Sequence, residues 1–281
     1  MTQFLALRAE GSVLLWGLGR PAQALAVCEK ALALTREGEA THSVNLLRVQ
    51  LAVAHIQLDH LDVARELLPD RSPDPLYQID ELWAEVRLAL DSGRQDAALP
   101  SVEEVLRGGP WPRRTDRFLS DIAVEALVAL GRTAEAHRLV ERVAAGGSDP
   151  SDPWLLRMRG RAAAATGRVD EALADLRLAA ETFRTAGYGH EEARSRLALA
   201  GVLAEEGSVE TAWTELRATL ESAEERGAVL EARLARTMQA TLSSRAVRGL
   251  DVPHQAHGDK VATRPALADL AAEGDRPTAG V

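Results

Sequence analysis

Six times along the chain a turn-forming residue stands five positions before an alanine that opens a helical apolar stripe. The pairs are Gly19 with Ala24, Asp59 with Ala64, Gly93 with Ala98, Gly131 with Ala136, Gly167 with Ala172 and Gly207 with Ala212. Successive alanines are 40, 34, 38, 36 and 40 residues apart, inside the range of about 20–50 residues that marks repeat architectures. A unit of that length cannot bury its apolar face alone, so units must stack on their neighbours instead of surrounding one centre.

Composition decides the kind of unit. The 281 residues are 46% apolar and 27% charged, which is enough to fold, yet only 4% are aromatic. Alanine and leucine therefore fill most contacts, which suits close helix pairs better than strands. The fold class expected is all-α. The formal charge of −9 opposes a nucleic-acid-coating surface, because phosphate binding needs clustered positive charge. Lys30 and Lys260 are the only lysines, an arginine bias that base composition explains as readily as selection. A single cysteine, Cys28, excludes an intramolecular disulfide; it lies on a predicted helical stripe and reads as a small buried hydrophobe. Arg8 and Glu10 interrupt the N-terminal apolar residues, so no signal peptide or membrane span is expected there. Cytoplasmic location and no membrane partner are the expectations.

Each unit reads as helix, tight turn, helix. The fifth, WLLRMRGRAAAATGRVDEALADLRLAA from Trp154 to Ala180, is the clearest. Gly160 and Ala172 allow close approach of two antiparallel helices, and Gly167 turns between them. Stripes such as Ala24/Cys28/Ala31, Ala136/Val140/Val143 and Ala172/Leu176/Ala179 have helical spacing. Pro73, Pro75, Pro110, Pro112, Pro150 and Pro153 mark junctions between units. Pro100 falls inside a predicted second helix, where it must kink the helix or delay its start.

Gly160, Gly167, Ala172 and Ala179 together resemble the tetratricopeptide repeat (TPR) family, over about residues 1–240. Other units carry Ser12, Ala52, Val86, Val124 and Ala200 in place of the first-helix glycine. Residues Phe183 to Gly227 resemble the longer repeats of large bacterial ATP-binding regulators with a LuxR-type DNA-binding end. They are also similar to arrays joined to caspase-like (CHAT) peptidase domains; the modules themselves are missing. The resemblance implies a right-handed α-solenoid of about six TPR-like hairpins over residues 1–242. Leu230 to Leu242 is then the capping helix, and 243–281 a flexible tail with a short helix around Ala266 to Ala272.

No Walker loop, Rossmann fingerprint, zinc-type cysteine pair or HExxH motif occurs. His55 and His60, five apart, do not share a helical face, and His254/His257 have ligand spacing but no further ligand. Glu103/Glu104, Glu191/Glu192 and Glu224/Glu225 are adjacent and read as solvated faces. No catalytic residue, cofactor or metal site is expected. What remains is the concave face of the stacked first helices. Helical projection places on it Trp83 with Arg87, Asp121 with Glu125, and Arg157 with Arg161. There the arginine forks can clamp a carboxylate, while Trp83 or Trp154 covers an apolar anchor.

The function expected is a non-catalytic interaction module, regulatory in character, that binds a peptide or protein on this face. A detached sensory array of a bacterial transcriptional or signalling regulator is the alternative, followed by self-association through the N-terminal face. An enzyme with a site built from Asp121, Glu125, Arg157 and Arg161 stands last, because such grooves are open to water.

Overall fold

A computed structural model describes residues 2–35, 41–68, 75–108 and 113–250. Every regular element among them is helical. The thirteen α-helices are α1 (Thr2–Ser12), α2 (Pro21–Ala33), α3 (Thr41–Gln57), α4 (Leu61–Leu67), α5 (Pro75–Asp91), α6 (Leu99–Arg107), α7 (Arg113–Ala129), α8 (Thr133–Ala145), α9 (Pro153–Ala165), α10 (Val169–Ala186), α11 (Gly189–Glu206), α12 (Val209–Arg226) and α13 (Val229–Leu250). No described helix is long and apolar enough to cross a membrane.

The turn and alanine pattern is built as read. Gly19, Gly93, Gly131, Gly167 and Gly207 have φ between 62° and 94°, and Asp59 has φ 63°. The six alanines five residues later are all fully buried. Each turn is left-handed, which costs a residue with a Cβ more than glycine, so Asp59 is the one position where the turn needs another reason. At Gly160 the close approach is literal: a Cβ would lie 2.7 Å from Leu176 Cγ and 3.3 Å from the Ala172 carbonyl. In the first pair the tight contact is made by Gly11, where a Cβ would meet Cys28 Sγ at 2.6 Å, while Ser12 accepts a hydrogen bond from Gln50 on α3 at 2.5 Å.

Prolines act as starters. Pro21, Pro75 and Pro153 open α2, α5 and α9, and Asp152 caps α9 by accepting from Trp154 N and Leu155 N, satisfying amides that have no partner inside the helix. Pro100 delays its helix: a short 3₁₀ turn, Gln95–Ala98, precedes α6. Pro73, Pro110 and Pro112, His254 and His257, and the segment Ala266 to Ala272 lie outside the described residues. The pattern expected to end near Leu242 continues, since α13 runs to Leu250.

Consecutive helices pack on each other, and each odd-numbered helix packs on the next odd-numbered one from α1 to α13. The row also meets itself: α13 touches α3, and α11 touches the π-helical turn Val13–Gly17 that ends α1. Leu230 of α13 is fully buried with Ala52, Ile56, Ala64 and Leu88. At Gly19, a Cβ would come within 2.9 Å of the His190 backbone nitrogen at the start of α11. The inner side of the N-terminal helices is thereby covered by the chain's own C-terminal helices.

Candidate functional site

Charges four residues apart on an α-helix stand one turn above each other, and the odd helices repeat this arrangement side by side. On α5, Arg87 holds Asp91 with both arms of its fork, at 2.7 and 2.8 Å. Its remaining amino group reaches Glu125 of α7 at 2.8 Å. Arg161 of α9 binds Glu125 at 2.7 Å and Asp121 at 3.2 Å. Arg157 binds Asp121 through Nε at 3.1 Å and Nη2 at 2.6 Å, and Glu191 of α11 at 2.5 Å. Arg194 closes the circuit, binding Asp91 at 2.8 Å across 103 residues of chain. Glu231 of α13 lies 2.8 Å from His190 Nδ1 and 3.7 Å from Arg194 Nε; these are contacts of charge and distance without hydrogen-bond alignment.

This is a network out of water. Arg87, Asp121, Arg157, Arg161, Glu191, Arg194 and Glu231 are all buried, from the fully covered Glu231 to Arg161 at 8% exposed. Burial works against each charge, and the neighbours decide the result. For Arg87 and Arg157 the adjoining carboxylates outweigh burial and raise the pKa. For Arg161, burial reinforced by Arg157 and Arg87 lowers it. Glu125 would be pushed up by burial but is held far down by Arg161, Arg87 and Arg194. Glu231, against the same burial, is brought to about 2 by His190 and Arg194.

An aromatic cluster seals one side. The π-helical turn carries Trp16, whose ring meets Trp83 edge-on at 4.7 Å and Phe118 at 5.3 Å. Trp83 stacks on Phe118 at 5.5 Å and lies 6.1 Å from the His190 ring. A charge clasp holds another side: Arg233 of α13 grips Asp59 with both arms, at 2.6 and 3.0 Å. That grip supplies the reason for a non-glycine residue in the left-handed turn.

Six of the seven residues expected on an open binding face are thus brought together, and the face is closed. Trp83 is 4% exposed, in the aromatic cluster; Arg157 and Arg161 are buried and bonded to the buried Asp121, and Arg87 is buried and joined to Arg161 through Glu125, whose side chain is half-buried. The physical reason is that α11 and α13 pack back onto the beginning of the chain, at the Val13–Gly17 turn and α3, where solvent was expected. Trp154 lies elsewhere, packed edge-on against Phe183 at 5.0 Å and Tyr188 at 5.8 Å. It lines a surface pocket of about 450 Å³ with Arg117, Phe118 and Asp152.

Other expectations are corrected too. Glu191 is buried on Arg157 instead of forming a solvated face, and Glu192 pairs with Arg196 at 2.9 Å. His55 and His60 do converge: their Nδ1 atoms are 3.3 Å apart, because the left-handed turn at Asp59 folds α4 back on the end of α3. Burial followed by the His60 charge lowers the His55 pKa. Cys28 is buried as read, and burial pushes its thiol up to about 11. Asp91, Arg194 and Glu231 were not singled out; the four-residue register continued along α5 from Arg87 reaches Asp91, and the same row carried on to α11 and α13 reaches Arg194 and Glu231. Trp16 and the Asp59–Arg233 clasp carry no local signal.

Neither a protein-family model nor a curated protein sequence matches the chain. The functional reading therefore rests on the residues themselves.

Proposed function

We propose that the chain is a right-handed α-solenoid of about six TPR-like hairpins with α13 as its cap, acting as a non-catalytic, regulatory interaction module. Its inner face takes a peptide or protein segment when α11–α13 move off the N-terminal helices. The observation that carries this reading is the charged lining itself. Replacing a buried ion network by apolar side chains of similar volume is often neutral or stabilising, so stability alone gives no reason for charge there. A lining of arginines and carboxylates, by contrast, stays soluble when exposed and offers bidentate forks to a carboxylate ligand. Within the network Glu125 and Glu231 are held low, where a general acid needs a raised carboxyl.

Arg157 and Arg161 are buried, so reversing their charge would test folding and not binding. The clasp is the place to intervene. Arg233→Ala and Asp59→Asn should each enlarge the radius of gyration in solution scattering and increase retention of ligands from a displayed peptide library, relative to the parent chain. The reading fails if scattering shows the clasp variants open and neither retains more peptide than the parent.

A further inference from the structure

Two histidine rings, those of His55 and His60, approach each other at the junction of α3 and α4, and nothing described above uses them. His55 sits in the last turn of α3 and His60 at the N-cap of α4. The backbone fixes their relation, because His60 N donates to the His55 carbonyl at 2.8 Å around the left-handed Asp59. The two Nδ1 atoms face each other at 3.3 Å. Two metal–imidazole bonds of about 2.0–2.1 Å meeting at a tetrahedral angle separate their nitrogens by about 3.3–3.4 Å. The spacing already present is the bite of a chelate.

We propose that His55 and His60 form a two-imidazole site for a borderline divalent transition-metal ion of the zinc, copper or nickel class. Imidazole is the protein ligand these ions share. In the metal-free chain one Nδ1 carries a proton and donates it to the other; when an ion binds, that ring takes its other neutral tautomer, with the proton on Nε2 by exchange with solvent, so both Nδ1 lone pairs face the ion and no net proton is released. His60 is exposed and His55 half-buried, so an ion reaches the pair without opening the fold, and water completes its coordination. Glu29 of the adjoining α2 is the carboxylate that acts on His55, and it favours a cation there. Asp59 is not a ligand, since both its oxygens are held by Arg233. No group of three or more His, Cys, Asp or Glu with metal-holding geometry occurs among the described residues. The site is therefore an open two-ligand site and not a closed structural one. The inference stands independently of what the inner face binds.

The test uses the full chain carrying His254→Ala and His257→Ala, because those two histidines have ligand spacing of their own. Calorimetric titration with zinc, nickel and copper(II) ions should show one saturable equivalent. The copper(II) form should give an electron-spin spectrum with two equivalent nitrogens. His55→Gln and His60→Gln keep hydrogen-bonding capacity but not the chelate; each should weaken binding roughly tenfold or more and reduce the copper spectrum to one nitrogen. Metal should raise the melting temperature of the parent and not of either variant, as binding to the folded state alone requires. Unchanged affinity in the glutamine variants, a single coordinated nitrogen in the parent, or non-saturating uptake would each overturn the proposal and leave the pair as an imidazole hydrogen bond. Circular dichroism of the metal-free variants confirms that a loss of binding is not a loss of fold.

Discussion

Charged residues are paired on both sides of this molecule, but by different rules. On the outer, even-numbered helices the pairs are local and wet: Asp62 with Arg65, Glu181 with Arg184, and Glu171 with Arg168 are three residues apart and largely exposed. The pairs that join one odd helix to another are distant in sequence and largely buried. Arg87 reaches Glu125 across 38 residues, and Arg157 reaches Asp121 across 36. The same residue types therefore contribute very differently. An exposed pair gains little beyond what water already provides. A buried pair is held because removing either member leaves the other charged, dry and alone.

The largest test of this contrast is Arg157→Met, which removes the one side chain joining Asp121 to Glu191. Chemical denaturation should show a loss of about 3–5 kcal/mol. A loss below about 1 kcal/mol would mean that water enters the network and that the two faces are alike.

Acid should separate the faces next. Glu231 titrates near 2 in the folded chain against an ordinary 4.5, so the unfolded chain takes up a proton at a pH where the folded chain does not. The stabilisation from that carboxylate is complete above about 4.5 and is lost as pH falls towards about 2. The unfolding free energy from chemical denaturation, followed from pH 6 to pH 3, should fall by on the order of 2 kcal/mol more in the parent than in Glu231→Gln. Equal slopes would remove Glu231 from the buried network.

The clasp is intermediate, since its two side chains are 36% and 22% exposed. Arg233→Ala should lose about 1 kcal/mol. In that background Asp59→Gly should restore about 1 kcal/mol, because the left-handed turn no longer carries a Cβ without compensation. If Asp59→Gly stabilises the parent equally, the clasp contributes nothing and the turn alone explains the residue. Smallest is Arg184→Ala on the outer face, whose denaturation midpoint should match that of the parent within error; a measurable loss would show that local surface pairs matter here.

Much was legible from local rules. The left-handed turns, the buried alanines, the close contact at Gly160 and the helix starts at prolines all follow from steric and hydrogen-bonding demands within a few residues. The pairing of charges onto one face was legible as well, since spacing of four on an α-helix sets direction whatever lies opposite. His55 and His60 show where that rule stops. A five-residue spacing separates them on a continuous helix, yet the chain is not a continuous helix there.

The sequence by itself determined the helical units, their turns and which side chains line the odd helices, because each depends on neighbours within one or two turns. Only the tertiary structure decided that this lining is closed. The contacts that close it, Arg194 to Asp91 and Arg233 to Asp59, span 103 and 174 residues. They join the end of the row to its beginning through residues that no local pattern relates.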